Sequence, residues 1–208
     1  MPESRPFKDD GATTRSVGTI EEESTHMERT DYGASIFTIR DFLSPEECQQ
    51  QIEISERTGY EEAAIQTREG PEIMKAVRNN DRIIFDDPAL ATHLFHRAEA
   101  LLPQEFGDWA LLGLNERFRF YRYTPAQYFK WHKDGFYCRN QNEISQLSFL
   151  IYLNAGYEGG DTEFKWDRIT PEQGMALAFP HSLMHQGTPL VAGVKYVLRT
   201  DVMYRRMF

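Results

Sequence analysis

The second half of the chain constrains the fold most strongly, because it consists of short β-rich runs separated by Gly, Pro, Asn and Asp. These runs cover residues 114–123, 128–132, 146–153, 162–166, 175–179, 184–187 and 195–204. Residues 34–40 and 61–67 add one or two more, for a total of about eight or nine strands. Short strands at this spacing are typical of a β-sandwich or a barrel-like jelly roll. The sequence therefore predicts a mainly β domain.

Two helices are predicted ahead of these strands, and we expect both to pack on one outer face of the β structure. The first begins after Ser44, where a capping hydroxyl, Pro45 and a Glu at position 47 form a start signal, and it runs to about residue 57. The second begins at Asp87–Pro88 and ends before Pro103. Its apolar face carries residues at helical spacing, namely Leu90, Leu94, Ala98 and Leu101.

Length and composition indicate one globular domain. Residues 1–32 are polar and lack apolar periodicity, so they are predicted to be a flexible N-terminal tail, and residues 33–208 the folded domain. There is no signal-peptide pattern and no apolar stretch of membrane-spanning length. Cys48 and Cys138 are too few for a disulfide framework, which favours the cytoplasm. The net charge of −9 disfavours a nucleic-acid partner, although it does not exclude a small basic pocket.

The pattern His132-Lys133-Asp134 at the end of a strand-like run is the first part of a candidate metal site. Side chains at positions i and i+2 of a strand project from the same face, so one imidazole and one carboxylate converge. A short motif of this kind is a weak signal by itself, because the two residues also occur as an ordinary surface pair.

A second histidine, His185, begins another predicted strand and completes a candidate triad. Two imidazoles and one carboxylate on one face of an octahedron form the facial triad of non-haem iron(II) oxygenases, which leaves open positions for a co-substrate and oxygen. A structural zinc site would carry four protein ligands, with Cys among them. His181, four residues earlier, is the alternative ligand, but the ten-residue step from His185 to Lys195 favours His185.

Lys195 lies on the last predicted strand and faces the same side as Arg199. An ammonium group inside a β core is costly unless it is paired, and the far end of a dicarboxylate would supply that pair. Tyr152 is the expected second donor to the same carboxylate, because a buried phenol needs a hydrogen-bond partner. Three alternatives remain open: a solvated Lys195, a Tyr152 that only packs in the core, and Arg199 as the anchor instead.

These landmarks, in their order along the chain, resemble the prolyl 4-hydroxylase branch of the iron(II)/2-oxoglutarate oxygenases over residues 34–204. The landmarks are Tyr123, His132-x-Asp134, Tyr152-Leu153-Asn154, Gly159-Gly160-Asp161-Thr162-x-Phe164, His185-x-Gly187 and Gly193-x-Lys195. The resemblance implies a double-stranded β-helix, a jelly-roll variant with iron near one mouth. The sequence departs from the usual pattern at Ala126, Phe129 and Tyr196, which leaves the iron assignment intact but not the prolyl specificity.

The resemblance also implies the cofactors and the roles of the residues. Iron(II) would be held by His132, Asp134 and His185, the distal carboxylate of 2-oxoglutarate by Lys195 and Tyr152, and Tyr123 would line the pocket. Oxygen is the second co-substrate, and ascorbate the expected reductant. The predicted activity is a dioxygenase that hydroxylates a C–H bond, with release of succinate and CO2.

The sequence predicts the substrate less specifically than it predicts the metal ligands. Arg78, in a polar cluster before Ile83 and Ile84, and Arg119, on a strand with Tyr123, are candidate substrate ligands for a carboxylate or a peptide carbonyl. Structural salt bridges are an equally good interpretation of both. A peptidyl residue is the favoured target; the alternatives are a free amino acid or other small metabolite, or a non-catalytic cupin-like metal-binding barrel.

Overall fold

The computed structural model describes residues 27–67 and 70–207. Most of the predicted tail, residues 1–26, lies outside the described residues, and so does the final residue of the predicted domain, Phe208. A strand already begins at Glu28, ahead of the predicted boundary after residue 32. That strand, Glu28–Gly33, pairs with Ile36–Arg40. The pairing orders its backbone, although most of its side chains are exposed and contribute no core.

The described residues form two α-helices, one 3-10 turn and nineteen strands. The helices are α1 (Pro45–Thr58) and α2 (Pro88–Ala98), and the 3-10 turn Glu99–Leu101 extends α2. The first nine strands are β1 (Glu28–Gly33), β2 (Ile36–Arg40), β3 (Glu61–Glu62), β4 (Ile65–Thr67), β5 (Gly70–Glu72), β6 (Asp81–Asp86), β7 (Glu105–Phe106), β8 (Trp109–Leu114) and β9 (Arg117–Tyr123). The remaining ten are β10 (Phe129–His132), β11 (Cys138–Asn140), β12 (Glu143–Tyr152), β13 (Glu158–Gly159), β14 (Thr162–Phe164), β15 (Arg168–Ile169), β16 (Ala176–Pro180), β17 (His185–Gly187), β18 (Leu190–Ala192) and β19 (Lys195–Arg206).

Two antiparallel sheets carry the fold. The larger has the order β1-β2-β16-β12-β19-β9-β6-β3. In addition, β11 lies beside β12, β8 lies beside β19, and β7 lies beside β8. The smaller has the order β10-β17-β14-β15. Side chains from both sheets, among them Tyr121 and Val197 from the larger and Phe164 and Ile169 from the smaller, form one apolar cluster. The protein is therefore a double-stranded β-helix, as predicted.

Alternation along β9 and β19 separates this cluster from a second core. Phe118, Phe120 and Leu198 point to the opposite face of the larger sheet and pack in a cluster that includes Leu94 and Cys48 of the two helices. The prediction that both helices cover one outer face is confirmed. The residues that alternate with them, such as Tyr121 and Val197, point to the inner face between the two sheets. The polar candidate site lies on that inner face.

The helix boundaries follow from capping. Ser44 accepts a hydrogen bond from the Glu47 backbone N–H while the Glu47 carboxylate accepts one from the Ser44 N–H, which is a complete capping box. The same carboxylate pairs with both terminal nitrogens of Arg97 at 2.7 Å, so the start of α1 is fastened to the end of α2. In α2, Asp87 accepts a hydrogen bond from the Leu90 N–H. Both predicted starts are confirmed.

Gly174 generates a prediction about stability. It has a φ of +77°, and a Cβ atom there would lie 2.1 Å from the carbonyl oxygen of Leu43. Gly156 also has a positive φ, +80°, but a Cβ atom would meet nothing within 4 Å. Gly156→Ala should cost only the left-handed conformation, about 1–2 kcal/mol. Gly174→Ala should lower the free energy of unfolding further, by about 1–3 kcal/mol, because the backbone around Leu43 must move.

Urea denaturation of both variants measures the difference, and Gly156→Ala is the matched control. Equal losses in the two variants would contradict the close contact between Gly174 and Leu43.

Candidate metal centre and co-substrate pocket

Antiparallel pairing of β10 with β17 brings the two candidate histidines together. His132, the last residue of β10, is the direct cross-strand partner of His185, the first residue of β17. Asp134 lies two residues after the end of β10, and its backbone N–H donates to the carbonyl of His181 at 3.1 Å. Sheet register therefore places two distant segments of the sequence around one point.

The three side chains have the geometry of a metal site. One potential ligand atom from each of His132, Asp134 and His185 lies within 4.8 Å of the other two. The Nε2 atoms of the histidines lie 3.6 and 3.7 Å from different oxygens of Asp134. The predicted triad is thus brought together in space.

Backbone hydrogen bonds fix the orientation of both imidazoles. The Nδ1 of His132 lies 2.7 Å from the Lys130 carbonyl, and the Nδ1 of His185 lies 3.0 Å from the Leu183 carbonyl. A carbonyl only accepts, so each Nδ1 carries the proton and each Nε2 keeps its lone pair free for a metal. Burial lowers the pKa of His185 to about 4, which keeps that ring neutral near pH 7.

Asp134 is held by a buried polar network. Its carboxylate forms an ion pair with Arg199 at 2.9 Å and accepts a hydrogen bond from the Ser148 hydroxyl. Burial raises the pKa of Asp134, but Arg199 and the two histidines lower it, and the net effect is a pKa well below the ordinary value. Asp201, 1% exposed, is a second counterion of Arg199 at 3.2 Å. The carboxylate is therefore ionised and fixed in position.

His181, the alternative ligand, takes part in this network instead of in the triad. Its ring nitrogens lie 2.8 Å from the Ser145 hydroxyl and 2.9 Å from the Ser148 hydroxyl. His181 therefore contacts Asp134 indirectly, because the Ser148 hydroxyl that lies against its ring also donates to the Asp134 carboxylate. The structure thus favours His185 over His181.

A pocket of about 430 Å³ extends from the triad into the fold. Its lining includes both ends of the predicted site, and the members are Tyr121, Tyr123, Phe129, His132, Asp134, Leu150, Thr162, His185, Gly187, Lys195, Val197 and Arg199. The predicted pocket residue Tyr123 is among them. The triad and Lys195 thus line one cavity.

Lys195 is a buried ammonium, with 4% of its surface exposed. It donates a hydrogen bond to the Gly160 carbonyl, and its Nζ lies 5.6 and 5.0 Å from the ring centres of Tyr123 and Tyr152. Burial lowers the pKa of Lys195 to about 7, and Asp161 only partly opposes this. Asp161 is itself paired with Arg168 at 2.8 Å, and no described carboxylate forms an ion pair with Lys195. The alternative of a solvated Lys195 is wrong.

Thr162 lines the pocket, although no role was predicted for it. The Tyr152 hydroxyl, completely buried, lies 2.7 Å from the hydroxyl of Thr162, and it is Thr162 that lines the pocket. Thr162 was visible in the sequence as a landmark in Gly160-Asp161-Thr162, but its inward direction follows only from the pairing of β14 with β17. The alternative of Arg199 as the anchor is disfavoured, because Asp134 and Asp201 already pair with it.

The two candidate substrate ligands differ in their partners. Arg119 pairs with Asp201 at 3.4 Å, as a structural salt bridge does. Arg78 is 4% exposed, donates from Nε to the Asn80 side chain at 2.9 Å, and stacks on the rings of Phe129 and Tyr121. No ion pair of Arg78 occurs within the described ranges. Arg78 is therefore the stronger candidate of the two.

Comparison with known proteins agrees with this geometry. Residues 118–200, which contain the triad and Lys195, match the family model described as the 2OG-Fe(II) oxygenase superfamily. No curated protein sequence matches the chain.

Three solved structures share the fold. A viral collagen prolyl hydroxylase of Paramecium Bursaria Chlorella virus-1, in a 2OG complex, is 22% identical with a TM-score of 0.60, over 83% of this chain and 97% of that one. A Trichoplax adhaerens prolyl hydroxylase in complex with a hypoxia inducible factor peptide fragment is 17% identical, with a TM-score of 0.61 over 81% and 83%. A Pseudomonas putida prolyl-4-hydroxylase is 15% identical, with a TM-score of 0.55 over 82% and 92%.

The family match over residues 118–200, the fold and the triad are together similar to those of the 2OG-Fe(II) oxygenase superfamily, and the fold is that of the solved prolyl hydroxylases. Within the described ranges, no helix is both long and apolar enough to cross a bilayer.

Metal binding distinguishes the two histidine assignments. His185→Ala should weaken Mn(II) binding more than about 100-fold, because it removes a ligand, whereas His181→Ala acts only through Ser148 and should weaken it by about 10–100-fold or less. His96→Ala, on the exposed face of α2, is the control and should bind like the unaltered protein. Isothermal titration of Mn(II) gives the affinities; loss of binding in His181→Ala together with normal binding in His185→Ala would reverse the assignment.

Proposed function

We propose that this protein hydroxylates a C–H bond of a peptidyl residue, with His132, Asp134 and His185 as the ligands of iron(II). The observation that carries the proposal is the pocket that runs from these three side chains to the buried ammonium of Lys195, which forms no ion pair among the described residues. A dicarboxylate that reaches from a metal to an ammonium matches 2-oxoglutarate.

The donor set fits the metal. Two neutral imidazoles and one ionised carboxylate, with no described cysteine beside them, are the ligands of a non-haem iron(II) facial triad. The backbone carbonyls of Lys130 and Leu183 hold the two Nε2 atoms toward the same point. Arg199 and Ser148 orient the carboxylate, and partners of this kind usually strengthen metal binding.

Lys195 and its neighbours fit the far carboxylate of 2-oxoglutarate. The buried ammonium would gain the counterion that it lacks among the described residues, and the hydroxyl of Thr162 would donate a hydrogen bond. Tyr152 acts through Thr162, since its hydroxyl lies against the Thr162 oxygen. Tyr123 lines the pocket beside Lys195, and burial raises its pKa to about 12, so its hydroxyl keeps a proton to donate.

Iron(II) with 2-oxoglutarate and O2 supplies the oxidation: one oxygen atom enters the substrate as a hydroxyl, and the other enters succinate as CO2 is released. The protein binds and orients the reactants and limits the access of water. Phe129 stacks on His132 with ring centres 3.4 Å apart and shields one face of the metal site. Ascorbate is the expected reductant, which would return the iron to iron(II) when it becomes oxidised in the absence of substrate.

A peptide target is favoured by the groove that adjoins the metal site. The groove is open to solvent, and its lining of sixteen described residues, more than a free amino acid would contact, includes His132 and Asp134. The structural neighbours include a collagen prolyl hydroxylase and a prolyl hydroxylase with a bound peptide fragment, which makes proline the first residue to test.

Succinate formation tests the proposed activity. With iron(II), 2-oxoglutarate, ascorbate and a library of proline-containing peptides, the unaltered protein should form succinate in step with a mass increase of one oxygen atom in the peptide. His132→Ala should lose this activity, whereas His96→Ala should retain it. Full turnover in His132→Ala, or turnover with free amino acids but with no peptide, would contradict the proposal.

The pKa of Lys195 predicts how pH affects binding of 2-oxoglutarate. The ammonium form binds the carboxylate, so affinity should be constant below pH 7 and fall by about tenfold per pH unit above it, because the free protein loses that proton. The fall should stop at the higher pKa of the complex. Lys195→Arg stays charged and should show a flat profile over the same range.

Calorimetric titration of 2-oxoglutarate into the Mn(II)-loaded protein between pH 6 and about pH 9 measures both profiles. Identical slopes for the unaltered protein and Lys195→Arg would rule out Lys195 as the source of the pH dependence.

A further inference from the structure

A basic groove adjoins the metal site on the side away from Lys195. We define it by its six cationic lining residues, Arg78, Arg82, Arg117, Arg119, Lys133 and Arg199. Among the described residues of the lining, the only carboxylate is that of Asp134, which is a proposed metal ligand. The whole chain carries a net charge of −9, so this concentration of positive charge opposes the overall balance.

Strand pairing aligns these cations on the inner face of the larger sheet. Arg119 of β9 lies directly opposite Arg199 of β19. On the other side of β9, Arg82 of β6 pairs with Tyr121. Like charges opposite one another destabilise a sheet unless counterions are present. The counterions of each cation therefore decide which ones are available to a ligand.

Three of the arginines are already neutralised. Arg117 forms two hydrogen bonds with the Asp86 carboxylate, at 2.9 and 3.1 Å. Arg119 and Arg199 share the buried Asp201, and Arg199 also pairs with Asp134. These contacts assign the three arginines to the structure of the sheet and of the metal site.

Arg78 and Arg82 have no such counterion in the part of the chain that the structure describes. Arg78 is buried, and its Nη2 atom has no hydrogen-bond partner among the described residues. Arg82 is half-buried and makes no ion pair within those residues. An uncompensated buried guanidinium is costly, and an anionic ligand would remove that cost.

The pKa shifts of Arg82 and Tyr121 also indicate that the groove favours an anionic ligand. Burial lowers the pKa of Arg82; Tyr121 opposes that effect, whereas Arg78, Arg119 and Arg199 add to it. Burial raises the pKa of Tyr121, but Arg199, Arg78 and Arg119 outweigh it, so that the net pKa lies below the ordinary value. The groove therefore favours negative charge.

Arg78 is also close to the reacting centre. Its guanidinium carbon lies 4.1 Å from the ring centre of Phe129, and that ring stacks on His132. One aromatic ring thus separates the guanidinium from a metal ligand. An anion bound by Arg78 would lie beside the bond that is hydroxylated, within the reach of a neighbouring residue of the same peptide.

We propose that the basic groove recognises an acidic side chain adjacent to the hydroxylated residue of the peptide, with Arg78 and Arg82 as its ligands. This specificity rests on the proposed peptidyl hydroxylase activity. A peptide fits better than a free acid because the groove also presents exposed apolar side chains, Ile84 and Phe136, along its wall. These two apolar side chains would contact other residues of a peptide, whereas a small acid has no further residues for them to contact.

Fluorescence anisotropy tests the proposal without turnover. The protein is loaded with Mn(II) and saturating 2-oxoglutarate, and titrated against two labelled pools of short peptides that differ only in Glu or Gln beside a central proline. The Glu pool should bind about tenfold more tightly, as expected for a charge-assisted contact in place of a neutral one. The preference should shrink at high salt.

Arg82→Gln should reduce this preference to about twofold or less, because it removes a cation without a counterion. Arg205→Gln is the matched control: Arg205 is exposed and pairs with Glu143 away from the groove, so the preference should persist. Arg78→Gln should act like Arg82→Gln; since Arg78 is buried, its variant is interpreted only where its thermal unfolding matches that of the unaltered protein.

Three results would overturn the inference. One is equal binding of the Glu and Gln pools by the unaltered protein, another is an unchanged preference in Arg82→Gln, and the third is displacement of the peptide by N-acetylglutamate at equal concentration, which would make a small acid the ligand. Succinate formation with neutral peptides in the first case would leave the proposed activity standing, so the two failures are distinguishable.

Discussion

The central strand β19 places charged side chains on the inner face of the larger sheet, and the rest of the site depends on how their burial is compensated. Lys195, Arg199 and Asp201 alternate with core residues such as Leu198, and each is less than 9% exposed. Charges inside a protein must be paired or the fold becomes unstable. Arg199 and Asp201 compensate each other. Lys195 forms no ion pair among the described residues, and its ammonium donates to the Gly160 carbonyl, so it marks the end of the pocket where an anionic ligand would be stabilised.

The pairing of Arg199 with Asp134 connects this electrostatic constraint to the metal centre. The guanidinium holds the carboxylate ionised, and Ser148 fixes it from a second direction, with His181 behind. An aspartate restrained in this way has a defined position before any metal arrives, which reduces the cost of ordering the site. Arg199 is therefore a positioning residue in this account, and Arg78 and Arg82 remain available for substrate.

The sequence predicted much of the site because its key relations are short-range. The i, i+2 spacing of His132 and Asp134, the shared face of Lys195 and Arg199, and the start signals of both helices depend only on local periodicity. The fold class followed from the spacing of the runs. What was missed depends on register between distant strands: Thr162 enters the pocket through β14–β17 pairing, and the Arg199–Asp134 ion pair joins β19 to the loop that follows β10.

Two boundaries show the same limit. Strand β1 is polar and was assigned to the tail, because its order comes from pairing with β2 and not from its own side chains. Strand β6 was not among the predicted strands, since Ile83 and Ile84 are adjacent apolar residues and give no apolar–polar alternation; Ile83 enters the core and Ile84 lines the basic groove. In both cases the segment forms a strand because it pairs with a neighbouring strand, and that pairing cannot be read from the segment's own residues.

A crystal structure of the protein with Mn(II) and 2-oxoglutarate would show directly whether one cavity holds both the metal and the co-substrate. One ion should be bound by the Nε2 atoms of His132 and His185 and by the Asp134 carboxylate, with the far carboxylate of 2-oxoglutarate on Lys195 and Thr162. An ion on His181, or a 2-oxoglutarate whose far carboxylate binds Arg199 or Arg78 instead of Lys195, would contradict this arrangement.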